Sequence, residues 1–73
     1  MDRLTALSYF IRAADAGSFT RAAALLGVSL ATVSRAINFL EQELGTPLFV
    51  RTTRKVTLTT AGEAMRPQAE NIL

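Results

Sequence analysis

Phe19-Thr-Arg-Ala-Ala-Ala-Leu-Leu-Gly-Val-Ser-Leu-Ala-Thr-Val-Ser-Arg-Ala-Ile-Asn-Phe-Leu40 organises this chain. It reads as two helices joined by a tight turn at Gly27-Val28-Ser29. The first is short and carries Ala22, Ala23, Leu25 and Leu26. The second repeats Val33, Ile37, Leu40 and Leu44 at steps of four, three and four, one stripe of an amphipathic helix. Gly27 ends the first helix at little cost because it tolerates the left-handed conformation. Ser29 caps the second by accepting a bond from a free backbone N–H. Ala23 is small where two helices meeting at a sharp angle must approach. These are the signs of a helix-turn-helix, whose second helix enters a DNA major groove.

At about 100° per residue, Ile37, Leu40 and Leu44 fall on the core side with Val33. Ala31, Arg35, Asn38 and Gln42 fall opposite, and Ser34 lies on the flank. Arg pairs well with guanine edges, and Asn or Gln with adenine, so this is a plausible reading face. Any amphipathic helix also shows polar residues to water, and Gln42 and Glu43, in the later turns, fit that plainer account. Ser34 and Arg35, near the entering end, fit contact better.

The rest of the chain frames this unit. Its 73 residues, 49% of them hydrophobic, suffice for one small domain with a modest core. No apolar stretch approaches membrane-spanning length, and the N-terminus lacks a signal-peptide pattern. There is no cysteine, hence no disulfide framework or thiolate metal site, which suits a cytoplasmic protein. The net charge is only +2, but Arg51, Arg54 and Lys55 form a local cationic block with no acid between them. Such a patch on a nearly neutral domain suggests a polyanion met at one edge.

Ahead of the central unit, Asp2 can cap a helix with the stripe Leu4, Leu7, Phe10, Ile11 and Ala14, ended by Gly17. Ser18 can cap the next helix, and Phe19 begins it as a core anchor. Thr20 and Arg21 lie in its first turn, where free N–H groups favour a phosphate. Arg21 could equally be a solvated charge. Behind the central unit, Gly45 and Pro47 stop the third helix near Leu44. Leu48 to Arg51 and Val56 to Thr59 read as a two-stranded hairpin with Arg54 and Lys55 at or near its tip. After a helix-turn-helix such a hairpin is a wing, set against the DNA backbone or minor groove. Thr60-Ala-Gly-Glu63 fits a capping box for a last helix. Its seam is Ala61, Ala64, Met65, Gln68, Ala69 and Ile72, with Pro67 as a source of a kink. Ending on Asn71-Ile72-Leu73 without a cap suggests a helix cut short, and so a piece of a longer protein. The expected class is mainly α: a winged helix-turn-helix over 1–59 and a linker and dimerisation helix over 60–73.

In order along the chain stand Gly17-Ser-Phe-Thr-Arg-Ala-Ala, Leu26-Gly-Val-Ser, Val33-Ser-Arg-Ala-Ile, Leu40-Glu-Gln-Glu-Leu-Gly-Thr-Pro-Leu-Phe, Arg51-Thr-Thr-Arg and Leu58-Thr-x-Ala-Gly62. Together they resemble the N-terminal region of LysR-type transcriptional regulators, over essentially the whole chain. The resemblance implies a longer protein with a periplasmic-binding-protein-like domain that takes a small-molecule effector. It implies a homodimer through the linker helix, usual tetramers in the full-length protein, and an interrupted palindrome with T and A at its outer ends as the duplex-DNA target. Ser34, Arg35 and the wing residue Arg54 match the family's pattern and inherit its DNA-contacting roles. The family commonly has Ser-Gln-Pro where this chain has Ser29-Leu30-Ala31. Leu30 cannot hydrogen-bond through its side chain, so that glutamine's base readout does not carry over. Ala31 or Thr32 can still meet a thymine methyl group. Leu30 can also pack back on the domain, since it lies about 60° from the apolar stripe.

The expected DNA contacts are therefore Ser18, Thr20, Ser29, Leu30, Ala31, Thr32, Ser34, Arg35, Asn38, Arg51, Arg54 and Lys55. The expected dimer contacts are Ala61, Ala64, Met65, Ala69, Ile72 and Leu73. No cofactor or metal is expected. An enzyme is disfavoured because the chain has no His or Cys and its six acids are scattered. A winged helix used only for protein–protein contact is the competing reading, since fold does not fix function.

Overall fold

A computed structural model describes residues 1–52 and 55–73. In chain order it has α1 (Arg3–Ala16), α2 (Phe19–Leu26), α3 (Leu30–Leu44), β1 (Phe49–Arg51), β2 (Val56–Leu58) and α4 (Thr60–Ile72). The architecture is the expected winged helix-turn-helix followed by a further helix.

Each helix start follows the same local chemistry. The side chains of Asp2, Ser18 and Ser29 accept from the N–H of Thr5, Arg21 and Thr32, each at 3.1 Å. The Thr5 hydroxyl, helped by its N–H, holds the Asp2 carboxyl below the usual carboxylate range. Gly17 and Gly27 end α1 and α2 in the left-handed region, at φ 67° and 72°. The axes of α2 and α3 turn through 111° at that second break, within the range of a helix-turn-helix.

The core is built on α1, against which α2, α3 and α4 all pack. Phe10, Ile37, Leu48 and Val33 are its largest fully buried side chains. Phe49 joins the wing to it, meeting Phe10 and Phe19 edge-on at 5.5 and 5.2 Å between ring centroids. β1 and β2 pair antiparallel, with Phe49 opposite Leu58 and Arg51 opposite Val56. The turn end of β2 is pinned to the α1–α2 junction, where the Val56 N–H donates to the Gly17 carbonyl at 3.0 Å.

Four expectations need correction. The buried stripe of α1 is Ala6, Leu7, Phe10 and Ala13, while Leu4 is 51% exposed and Ile11 and Ala14 are half-buried. With three helices packed against α1, Ala6 and Ala13 are buried beside Leu7 and Phe10, because their small side chains let those helices approach. Leu44 is 45% exposed; it ends α3 at the rim of a groove that it shares with Leu7, Met65 and Ile72. The cap of α4 is Thr59, not Thr60: its hydroxyl accepts from the Gly62 N–H at 3.0 Å and donates to the Pro47 carbonyl at 2.8 Å. Ala69 is wholly buried within its own chain, so it has no surface to offer a second copy.

Candidate nucleic-acid interface

Three chain segments converge at one end of α3. The start of α2 supplies Ser18, Phe19 and Thr20. The start of α3 supplies Leu30. The wing supplies Arg51, Thr52, Lys55 and Val56. These residues line an open cleft of about 220 Å³. It brings together Ser18, Thr20, Leu30, Arg51 and Lys55 from the expected contacts. Arg54 lies outside the described residues.

Along α3 the outward face is the one expected. Ala31, Arg35, Asn38 and Gln42 are exposed, and Thr32 and Ser34 are half-buried on its flanks. Val33, Ala36, Ile37 and Leu40 are buried behind it. Burying that stripe against α1 leaves the opposite face free. Leu30 does not pack back into the domain, for it is 47% exposed.

The hydroxyls have prior commitments. Ser18 caps α2. The Ser29 hydroxyl caps α3 and lies 2.9 Å from that of Thr32. Both serine oxygens are thus occupied by backbone donors, and they shape the surface more than they read it.

Arg51 holds the junction of wing and helices. Its guanidinium lies 4.8 Å from the centre of the Phe19 ring. Its Nη2 donates to Asn38 Oδ1 at 3.4 Å and to Glu41 Oε1 at 3.5 Å. Glu41 in turn accepts the Leu48 N–H through Oε2 at 2.8 Å. In the sequence Glu41 is one of six scattered acids, and nothing there marks it as a bridge from α3 to the wing. Its spacing from Asn38 does set the two side by side on one helix face.

The charge balance favours a polyanion. Arg3 pairs with Glu43, and Arg66 pairs with Asp15 and Glu70; the Asp15 bond raises the Arg66 pKa above its ordinary value. Among the described residues, no carboxylate pairs with Arg35 or Lys55. Both are exposed, one on α3 and one on the wing.

A winged helix-turn-helix with an uncompensated cationic edge defines a class of regulatory domain, and the comparisons resolve it further. Residues 4–63 match the family described as bacterial regulatory helix-turn-helix protein, lysR family, and the chain belongs to that family. It is 47% identical over 73 residues to an HTH-type transcriptional repressor of Pseudomonas aeruginosa (strain UCBPP-PA14), covering 100% of this chain and 23% of the relative. It is 52% identical over 67 residues to the HTH-type transcriptional regulator BudR of Klebsiella aerogenes, covering 92% and 47%. The chain thus spans between about a quarter and a half of these relatives. Among solved structures it is similar to a CbnR_DBD–DNA complex, with TM-score 0.93, 39% identity and coverage of 99% of this chain and 82% of that one. A complex of BenM_DBD with benA site 1 DNA gives TM-score 0.88 and 36% identity, over 99% and 80%.

Proposed function

We propose that this chain is the sequence-specific duplex-DNA-binding domain of a LysR-type bacterial transcriptional regulator. The observation that carries the reading is the cleft in which the start of α3 meets the first turn of α2 and the wing cations Arg51 and Lys55, beside the exposed outer face of α3. α3 lies in the major groove with Ser34 and Arg35 at base edges. Lys55 and the wing meet the adjacent backbone or minor groove. The chemistry is binding, not catalysis.

Residues 1–59 act as the DNA-binding unit and 60–73 as a linker helix that pairs with its copy in a second chain. Exposed Ile72 and Leu73, together with exposed Ala64, support this pairing. Half-buried Ala61 and Met65 add to it from the rim. In the longer protein an effector domain senses a small molecule, two or four copies assemble on an interrupted palindrome, and the regulator works in the bacterial cytoplasm. No single helix among the described residues is long and apolar enough to cross a membrane.

The test is fluorescence anisotropy of a labelled duplex against the 73-residue chain across a salt series. Affinity should fall linearly with salt on logarithmic axes, and Lys55→Ala should flatten that slope by about one unit. Binding indifferent to salt would point instead to a protein–protein module.

A further inference from the structure

We infer that the first turn of α3 reads thymine through its 5-methyl group, with Leu30 as the side chain that makes the contact. This rests on the DNA-binding reading above and adds the kind of base feature recognised.

The first turn of α3 presents few free polar groups. Its polar side chains are turned to one another: the Ser29 hydroxyl accepts the Thr32 N–H at 3.1 Å and lies 2.9 Å from Thr32 Oγ1. What remains outward is apolar. Leu30 is 47% exposed, and Ala31 beside it is exposed and too small to hold a base edge at a distance. A leucine left half in water at the tip of a helix contributes little to folding. It becomes useful when a partner covers it.

Its surroundings identify that partner. Leu30 shares its cleft with Ser18, Thr20, Arg51 and Lys55, a rim of hydroxyls and cations suited to phosphate oxygens. Arg35 stands about one turn further along the same helix. A partner with anions at its edge and an apolar spot at its centre matches a duplex major groove carrying a thymine. The C5-methyl is the one apolar group that a base pair displays there. Hydrogen-bond readout then begins at Ser34 and Arg35, and the turn before them discriminates by shape and desolvation. Cytosine at the same position would lack the methyl and so the apolar contact.

The experiment removes the methyl and nothing else. A duplex is selected from a randomised pool by the 73-residue chain, and each thymine of the selected site is replaced singly by deoxyuridine. The inference expects one or two positions where replacement weakens binding about fourfold, the worth of one buried methyl-sized group. In Leu30→Ala the effect of those replacements should shrink to near nothing. The salt slope and the thermal midpoint should match the parent, because Leu30 is exposed and uncharged. Salt-dependent binding with no deoxyuridine-sensitive thymine would overturn the inference while sparing the DNA-binding reading. So would sensitivity that persists undiminished in Leu30→Ala. Failure of any duplex to be selected, with binding absent at low salt, would remove both.

Discussion

Arg51 shows how one residue can serve the interface without reading it. Its guanidinium stacks on Phe19 and reaches Asn38 and Glu41, so three elements share a single side chain. Arg is suited to this because its plane stacks and its fork donates to two acceptors at once, which an ammonium group cannot do. Arg51→Ala and Arg51→Lys should both lower stability by about 0.5–1 kcal/mol in chemical denaturation, the scale of an exposed cation–π pair. Lys should preserve the salt slope of DNA binding and Ala should not. Equal stability of Arg51→Ala and the parent would show that the stack holds nothing together. The role was hidden in the sequence because Arg51 sits in a run with Arg54 and Lys55 and reads as one more phosphate contact. Its partners lie thirteen and ten residues away, and only the folded wing brings them within reach.

Much of the element scale was open to reading along the chain. Asp2, Ser18 and Ser29 precede apolar-periodic runs and do cap them, because the capping bond spans only three residues. The glycine stops are equally local. The wing was legible from Val56 and Leu58 alternating with Thr57 and Thr59. The misreadings came where a helix meets a distant partner. The start of α4 looked like a capping box at Thr60, yet Thr59 takes the position, held there by the Pro47 carbonyl. Leu48 enforces the same choice: its carbonyl accepts the Thr59 N–H at 3.0 Å and passes close beside Gly62. A Cβ on Gly62 would sit 2.2 Å from that carbonyl oxygen and 2.9 Å from Leu58 Cδ2. Gly62→Ala should therefore destabilise the domain by about 1–3 kcal/mol, the cost of overpacking against atoms that cannot move freely. Intrinsic helix propensity argues the other way, favouring Ala by about 1 kcal/mol. A stabilised or unchanged variant in urea unfolding would show that α4 slides away from Leu48 and β2 at no cost. The exposure of Leu4 and Leu44 was illegible for a similar reason. A heptad-like stripe shows which face is apolar but not where the covering helices stop.

At the scale of the whole molecule, size limits what one copy can recognise. The described chain measures 24 × 24 × 19 Å. Successive major grooves on one side of B-DNA lie about 34–36 Å apart, so one copy covers one half-site and a palindrome needs two. In the proposed assembly the end of α4 joins them. Ile72 and Leu73 are each 57% exposed, and Ile72 borders the groove formed with Leu7, Leu44 and Met65. Close approach of a second α4 would cover this strip under two-fold symmetry. Sedimentation of the chain with a palindromic duplex should give two copies per site, and Ile72→Glu should reduce that to one while leaving the monomer folded. Two copies bound equally well by Ile72→Glu would move the dimer contact elsewhere.

In the proposed complex α3's outward face and the wing together form the DNA surface. Amide chemical-shift mapping of the isotopically labelled chain, titrated with the selected duplex, tests it most directly. The largest changes are expected at Leu30, Ala31, Ser34, Arg35 and Lys55, with smaller ones at Thr20 and Asn38. Changes concentrated on the groove of Arg3, Leu44 and Ile72, with α3's outward face silent, would contradict it.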